Sequence, residues 1–184
     1  MTLPEELLAR YAALVRSWAP RLDLVSPGDL GRLEERHIGD SLRAVPLLDE
    51  LPPGLCVDIG SGAGLPGIPL AIVRPERLWT LLEPRHRRAA FLEEAVRELG
   101  LSCRVVAKTA EQAAVDADLA RSHVLATARA VAEPAAVREL AEPLLRPGGT
   151  TLVFTGAGAV TPPDAVEWAS GLTIMRKPDD QGDA

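Results

Sequence analysis

Apolar positions in the first fifty residues recur at helical spacing, whereas from residue 55 onward they fall in short runs separated by helical stretches. Leu7, Leu8, Tyr11, Leu14, Val15 and Trp18 share one face of a helix that opens at Thr2, where Thr2 and Glu5 have the spacing of a capping box. Ser26-Pro27 is a second start signal, with Ser as N-cap and Pro at the first helical position, for a helix ending near His37. A third helix is predicted over 40–48, stopped by Pro52-Pro53-Gly54. Beyond that breaker, strands are predicted at 55–59, 78–83, 103–107, 123–127 and 150–155, and helices near 66–73, 86–99, 109–116 and 133–145. Such alternation builds βαβ units and a parallel sheet, an α/β fold. Pro147-Gly148-Gly149 reads as a turn before the fifth strand. The expected organisation is a helical N-terminal cap (1–54), a Rossmann-like core (55–177) and a disordered tail (178–184).

Composition narrows the function. With 184 residues, 47% apolar and 25% charged, the chain has material for one well-packed domain. Only 3% of residues are aromatic, which argues against a surface of stacked aromatics. The net charge of -6 argues against broad nucleic-acid binding by bulk electrostatics and leaves open a local basic patch. Cys56 and Cys103 lie far apart with no Cys/His cluster, so both read as core residues and no metal is expected. The longest apolar run, 65–73, is far below a membrane span and no signal peptide opens the chain, so a soluble cytoplasmic protein without a membrane partner is expected.

Val57-Asp58-Ile59-Gly60-Ser61-Gly62-Ala63-Gly64-Leu65-Pro66-Gly67 sits where a buried strand turns into a helix. Glycines there let backbone approach a ligand, and the helix N-terminus favours an anionic group. Read as Gly62-x-Gly64-x-x-Gly67, the loop also satisfies the dinucleotide fingerprint, and Glu83 at the next strand's end could hold ribose hydroxyls in either case. Three features favour S-adenosyl-L-methionine over NAD. Asp58 precedes the first glycine by two residues and could orient a cationic amino group; Gly60-x-Gly62-x-Gly64 is the tighter spacing of a loop with no pyrophosphate to cradle; and the chain leaves little room for a second nucleotide half. The competing reading is a turn whose glycines serve packing alone.

Glu35-Arg36-His37-Ile38-Gly39-Asp40-Ser41, the segment from Asp58 to Leu70, Arg74-Pro75, Leu81-Leu82-Glu83, Ala110-Glu111, Ala128-Arg129-Ala130 and Leu144-Leu145-Arg146-Pro147-Gly148-Gly149 together resemble the RsmG (GidB) family of 16S rRNA guanine-N7 methyltransferases. The resemblance implies a Rossmann-like class I S-adenosyl-L-methionine-dependent methyltransferase with a helical cap. It also implies that Gly60 and Leu65 contact the cofactor, Glu83 holds its ribose, Ala110 and Glu111 flank its adenine, and Arg129 serves both cofactor and active site. His37, Asp40 and Ser41 are placed near the cofactor face, beside the plainer reading that they cap a helix junction. For Arg129 the plainer reading is a salt bridge to Glu133.

Guanine N7 carries a free lone pair, so methylating it needs alignment rather than a general base, in keeping with the absence of a Ser/His/Asp pattern. Arg85, His86, Arg87 and Arg88 form the one dense basic run; the plainer reading is a solvated helix face, but a helix opening is not where the macrodipole favours cations, which points Arg87 and Arg88 towards a ligand or RNA phosphates. The chain also departs from the family. Thr155 stands where a lysine belongs, Val124 replaces an acid, and Asp23 replaces an asparagine. The 28 residues after Gly156 look too few for the last antiparallel strand pair, so a sheet of about six strands with an exposed edge is expected. These departures lie on the substrate half, so a small-molecule acceptor, or a noncatalytic S-adenosyl-L-methionine-binding protein, stands as the alternative to small-subunit rRNA.

Overall fold

The computed structural model describes residues 2–155 and 160–179. Helix α1 (Leu3–Leu22) opens on the predicted capping box and closes on Asp23 in the left-handed region, φ 48°. Asn and Asp tolerate that conformation better than other side chains, so Asp23 fills the position reserved for asparagine. A 3-10 turn (Leu30–Arg32) and a π-type turn (Glu34–Ile38) run without interruption into α2 (Gly39–Leu42), followed by α3 (Val45–Glu50). The expected Ser26 N-cap and the cap at Asp40 and Ser41 are therefore corrected. Ser26 Oγ donates to Asp29 Oδ2 (2.7 Å) in a turn, and Ser41 Oγ donates back to the His37 carbonyl (2.7 Å) within continuous helix.

The core alternates β1 (Leu55–Ile59), α4 (Gly67–Val73), β2 (Trp79–Leu82), α5 (His86–Leu99), β3 (Cys103–Val106), α6 (Ala110–Ala114), β4 (His123–Arg129), α7 (Pro134–Ala141) and β5 (Leu145–Phe154). The hairpin β6 (Val166–Ala169) and β7 (Leu172–Arg176) completes a seven-stranded sheet of order β3-β2-β1-β4-β5-β7-β6. The first five strands are parallel; β7 runs antiparallel to β5 and β6. The expectation of six strands is thus wrong. A two-residue turn at Ser170-Gly171 closes the hairpin, and Leu172, Thr173, Ile174 and Met175 are all buried against β5. The edge strand β6 is four residues long with an irregular register, a form that discourages pairing with another chain. Of the expected disordered tail, Pro178 and Asp179 are described without helix or strand, and residues 180–184 lie outside the described residues.

Both sheet faces are covered, which is why the parallel strands read as nearly continuous apolar runs. Side chains alternate between two cores: Cys56, Leu81, Leu125 and Leu152 pack under α1, α4 and α5, while Val57, Leu82, Ala126 and Val153 pack under α6 and α7. The predicted turn at Pro147-Gly148-Gly149 proves to be an irregularity inside β5, where the pairing with β4 jumps from His123↔Leu145 to Leu125↔Thr150.

Candidate active site

Strand order reverses between β1 and β4, whose neighbours lie on opposite sides, and ligands of open α/β sheets bind at such a switch beyond the strands' carboxyl ends. Register fixes which residues meet there. Ile59 pairs with both Leu82 and Ala128, so Gly60 emerges between Glu83 and Arg129, and Arg129 pairs with Phe154. The segment leading to Ala110 follows β3, whose Val106 pairs with Leu82. Glu83, the glycine loop, Arg129 and Thr155 thus follow one another across one edge of the sheet, with Ala110 buried and Glu111 exposed in the first turn of α6.

The glycine loop is held from three directions. Ser61 N–H donates to the Leu82 carbonyl (2.9 Å), Gly62 N–H donates to Glu83 Oε2 (2.9 Å), and Tyr11 on α1 donates its hydroxyl to the Ala63 carbonyl (2.7 Å). Gly60 has φ +67°, and a Cβ there would lie 2.9 Å from Val131 Cγ2. At Gly67 a Cβ would meet Leu81 and the Asp58 carboxylate at 2.6 and 2.9 Å. Gly60 is thus required by its backbone conformation and by Val131, and Gly67 by the close packing of Leu81 and Asp58. Leu65 is buried within the loop.

Asp58 lies beneath the loop rather than in it. Its carboxylate is fully buried and accepts from Thr127 Oγ1 (2.8 Å) and Gly67 N–H (3.3 Å). Burial pushes its pKa up to about 6 against these hydrogen bonds. It braces the loop from beneath. Glu83, 4% exposed, accepts from Gly62 N–H through one oxygen and Arg85 N–H through the other.

Arg129 bolts the helical segment to the end of β4. Nη1 donates to the His37 carbonyl (3.2 Å) and lies 3.3 Å from Asp40 Oδ2; Nη2 donates to the Arg36 carbonyl (3.1 Å) and to His37 Nδ1 (3.0 Å). A guanidinium has only donors, so Nδ1 of His37 is the bare nitrogen and the proton sits on Nε2, 3.6 Å from Asp29 Oδ2. Burial, then the Arg129 charge, lowers the His37 pKa and keeps the ring neutral. Burial likewise lowers the pKa of Arg129, opposed mainly by Asp40. Its guanidinium also lies 5.8 Å from the centre of the Phe154 ring. Arg129, Asp40, Val131, Glu133, Phe154 and Thr155 line an open cleft of ≈ 660 Å³. The ion pair that Arg129 makes is with Asp40, not with Glu133 as its plainer reading had it.

Of the remaining expected site residues, Ser41 is buried and turned to the helix backbone. Arg87 and Arg88 reach the C-terminal carbonyls of α1: Arg87 Nη2 to Arg21 (3.2 Å), Arg88 Nη2 to Asp23 (2.8 Å) and Arg88 Nε to Leu22 (3.4 Å). These bonds satisfy carbonyls that a helix end leaves open.

Residues 4–162 match the family described as GidB, rRNA small subunit methyltransferase G. The chain belongs to the GidB family. A relative from Acidiphilium cryptum, ribosomal RNA small subunit methyltransferase G, is 44% identical over 156 residues, 83% of this chain and 68% of that protein. The protein of the same name from Mycobacterium leprae is 44% identical over 147 residues, covering 80% of this chain and 59% of its own length. Among solved structures, a Corynebacterium glutamicum protein superposes with TM-score 0.62 at 16% identity over 94% of this chain and 92% of its own. The methyltransferase yhhF of Escherichia coli does so with TM-score 0.57 at 15% identity, over 84% and 89%. This GidB-family chain therefore has the class I methyltransferase fold. Among the described residues no helix is long and apolar enough to cross a membrane.

Tyr11 and Thr127 are the site residues that the GidB motifs did not announce. Tyr11 is the chain's one tyrosine, and a phenol on a buried helix face requires a partner; Thr127, polar within an apolar strand, requires one too. Burial, then Asp58, holds the Tyr11 phenol well above its ordinary pKa, so it is a neutral donor. Tyr11→Phe removes one buried hydrogen bond, ~1 kcal/mol or somewhat more. The expected result is a Tm lower by ~2–4 °C per kcal/mol, with the cofactor KM raised several-fold and kcat nearly unchanged. A fall in kcat at constant KM would contradict this positioning role.

Proposed function

We propose that the chain is a cytoplasmic enzyme that transfers the methyl group of S-adenosyl-L-methionine to guanine N7 of 16S rRNA in the small ribosomal subunit, with residues 1–54 as a helical cap on the methyltransferase core. The observation that carries this reading is the alignment of Glu83, the glycine loop and Arg129 at the strand-order reversal of a GidB-family chain. The residues fit the group. Gly62, at φ +56°, has room where a side chain would stand, and Glu83 keeps a second lone pair on each oxygen for ribose hydroxyls after bonding Gly62 and Arg85. Gly62, Gly64 and Leu65 would hold the methionine portion, and Ala110 and Glu111 the adenine. When bound, S-adenosyl-L-methionine supplies an electrophilic methyl group on a sulfonium.

The protein's share of the reaction is alignment and charge placement. Guanine N7 needs no proton removed, so neither Asp58, sealed under the loop, nor His37, bound to Arg129, is required as a base. The Nη groups of Arg129 bond His37 and Arg36 and lie beside Asp40, and no hydrogen bond among the described residues engages Nε–H, which would leave it for an acceptor such as guanine O6. Asp40 and Glu133 on the cleft wall would place negative charge near the purine as it becomes cationic. A small-molecule acceptor is the second reading, favoured by Thr155 on the cleft wall in place of a cation.

The deciding measurement is transfer of labelled methyl to small subunits, naked rRNA and small nucleophiles, with nucleosides identified by mass spectrometry. N7-methylguanine from small subunits is the expected product. Binding of NAD in preference to S-adenosyl-L-methionine, or label in no form of rRNA, would overturn the reading.

A further inference from the structure

The basic run divides in the structure. Arg87 and Arg88 are spent on the end of α1, whereas the exposed side chains of Arg21 and Arg85 have no hydrogen bond or ion pair among the described residues. Several arginines elsewhere are matched with carboxylates, as in Arg16 with Glu34, Arg32 with Glu35, Arg36 with Asp29, Arg74 with Asp49 and Arg97 with Glu94. On a protein of net charge -6, two arginines left without an acid beside two more define a local reversal of sign.

These four arginines, with His86, line an open cleft of ≈ 340 Å³ between the C-terminal end of α1 and the start of α5, with Asp23 as its one carboxylate. The cleft opens two residues beyond Glu83, on the sheet edge that carries the glycine loop and Arg129. Cations crowded at the start of a fourteen-residue helix oppose its dipole, an arrangement that an incoming anion relieves. Because the rest of an acidic surface repels a polyanion, attraction has to be concentrated in such a place.

We propose that this cleft docks the phosphodiester backbone of the RNA substrate, with Arg21 and Arg85 as the phosphate-binding side chains and Arg87 and Arg88 as the struts that hold its two walls together. The inference rests on the rRNA reading above and adds to it the place where the RNA backbone is gripped. It also separates two roles within one basic run: replacing Arg87 or Arg88 disturbs the seat of α1, whereas replacing Arg21 or Arg85 removes charge alone.

The test uses the full chain and its Arg21→Gln/Arg85→Gln variant, with small-subunit binding and methylation measured over a range of KCl and S-adenosyl-L-methionine affinity measured by calorimetry. The variant is expected to keep the parent's Tm, kcat and cofactor affinity within about twofold, while its KM for small subunits rises ~10-fold and the slope of log KM against log salt falls by about 1–2. The Arg21→Lys/Arg85→Lys variant retains the charges and should stay close to the parent. A parent that binds and methylates subunits, with a glutamine variant of equal KM and salt slope, overturns the cleft and leaves the function standing. An equal loss of cofactor affinity also overturns it, by placing these arginines at the cofactor. A parent that neither binds nor methylates small subunits overturns both.

Discussion

Replacing Arg129 by alanine is expected to lower kcat/KM on small ribosomal subunits at least ~100-fold, about 3 kcal/mol of transition-state stabilisation. The side chain does two things at once. It lines the cleft, and through its Nη donors it fixes the stretch containing His37 and Asp40 to the end of β4. Alanine leaves two helix carbonyls, a histidine nitrogen and a carboxylate without their shared partner, so cleft wall and donor are lost together. Lysine does not repair this, because one ammonium cannot span Arg36, His37 and Asp40 as a planar fork does; Arg129→Lys is expected to recover about a tenth of the activity or less. Thermal unfolding separates loss of fold from loss of function, since the variants should remain folded with a lower Tm. A kcat/KM within about threefold of the parent would remove Arg129 from the reaction, as a positioned donor contributes far more than that.

The cofactor edge was legible because a parallel sheet converts sequence into position. Once the strands ending at Ile59, Leu82 and Arg129 are recognised from apolar runs, the residues that follow them must emerge side by side, and the glycines mark which edge is used. Helix α5 was equally plain, with its apolar face and Gly100 in the left-handed conformation at its end. The stretch 26–42 was not. Ser26-Pro27 and Asp40-Ser41 are strong local signals for helix starts, yet Arg129, ninety residues away in sequence, holds the carbonyls of Arg36 and His37 and favours an unbroken helix. The contacts of Arg87 and Arg88 with the carbonyl oxygens at the end of α1 were not legible either, because they join residues some sixty-five positions apart. The C-terminal hairpin was missed because length was weighed instead of pattern. Leu172 to Met175 is apolar but for the β-branched Thr173, as a strand buried on both faces can be, and a two-residue turn needs little chain.

Glu83→Ala is expected to weaken S-adenosyl-L-methionine binding by roughly 1–3 kcal/mol through loss of charge-assisted hydrogen bonds to the ribose. The structure adds a second source of loss, because the same carboxylate accepts the N–H groups of Gly62 and Arg85 and thereby sets the height of the glycine loop. Glutamine tests this directly. Its amide keeps one acceptor but turns an NH2 group towards either the Gly62 or the Arg85 N–H, so two donors face each other in a site only 4% exposed, where water cannot mediate. Glu83→Gln should therefore cost about as much cofactor affinity as Glu83→Ala, although it is nearly isosteric. Aspartate, one methylene shorter, keeps the charge and cannot reach both backbone N–H groups and the ribose together, so it should fall between parent and alanine. Calorimetry gives the affinities, and circular dichroism with thermal unfolding confirms that the variants are folded. If Glu83→Gln binds as the parent does, within about twofold, the backbone contacts do not organise the loop, since each opposed donor pair should cost ~1 kcal/mol or more. If Glu83→Ala does so as well, the ribose is held elsewhere.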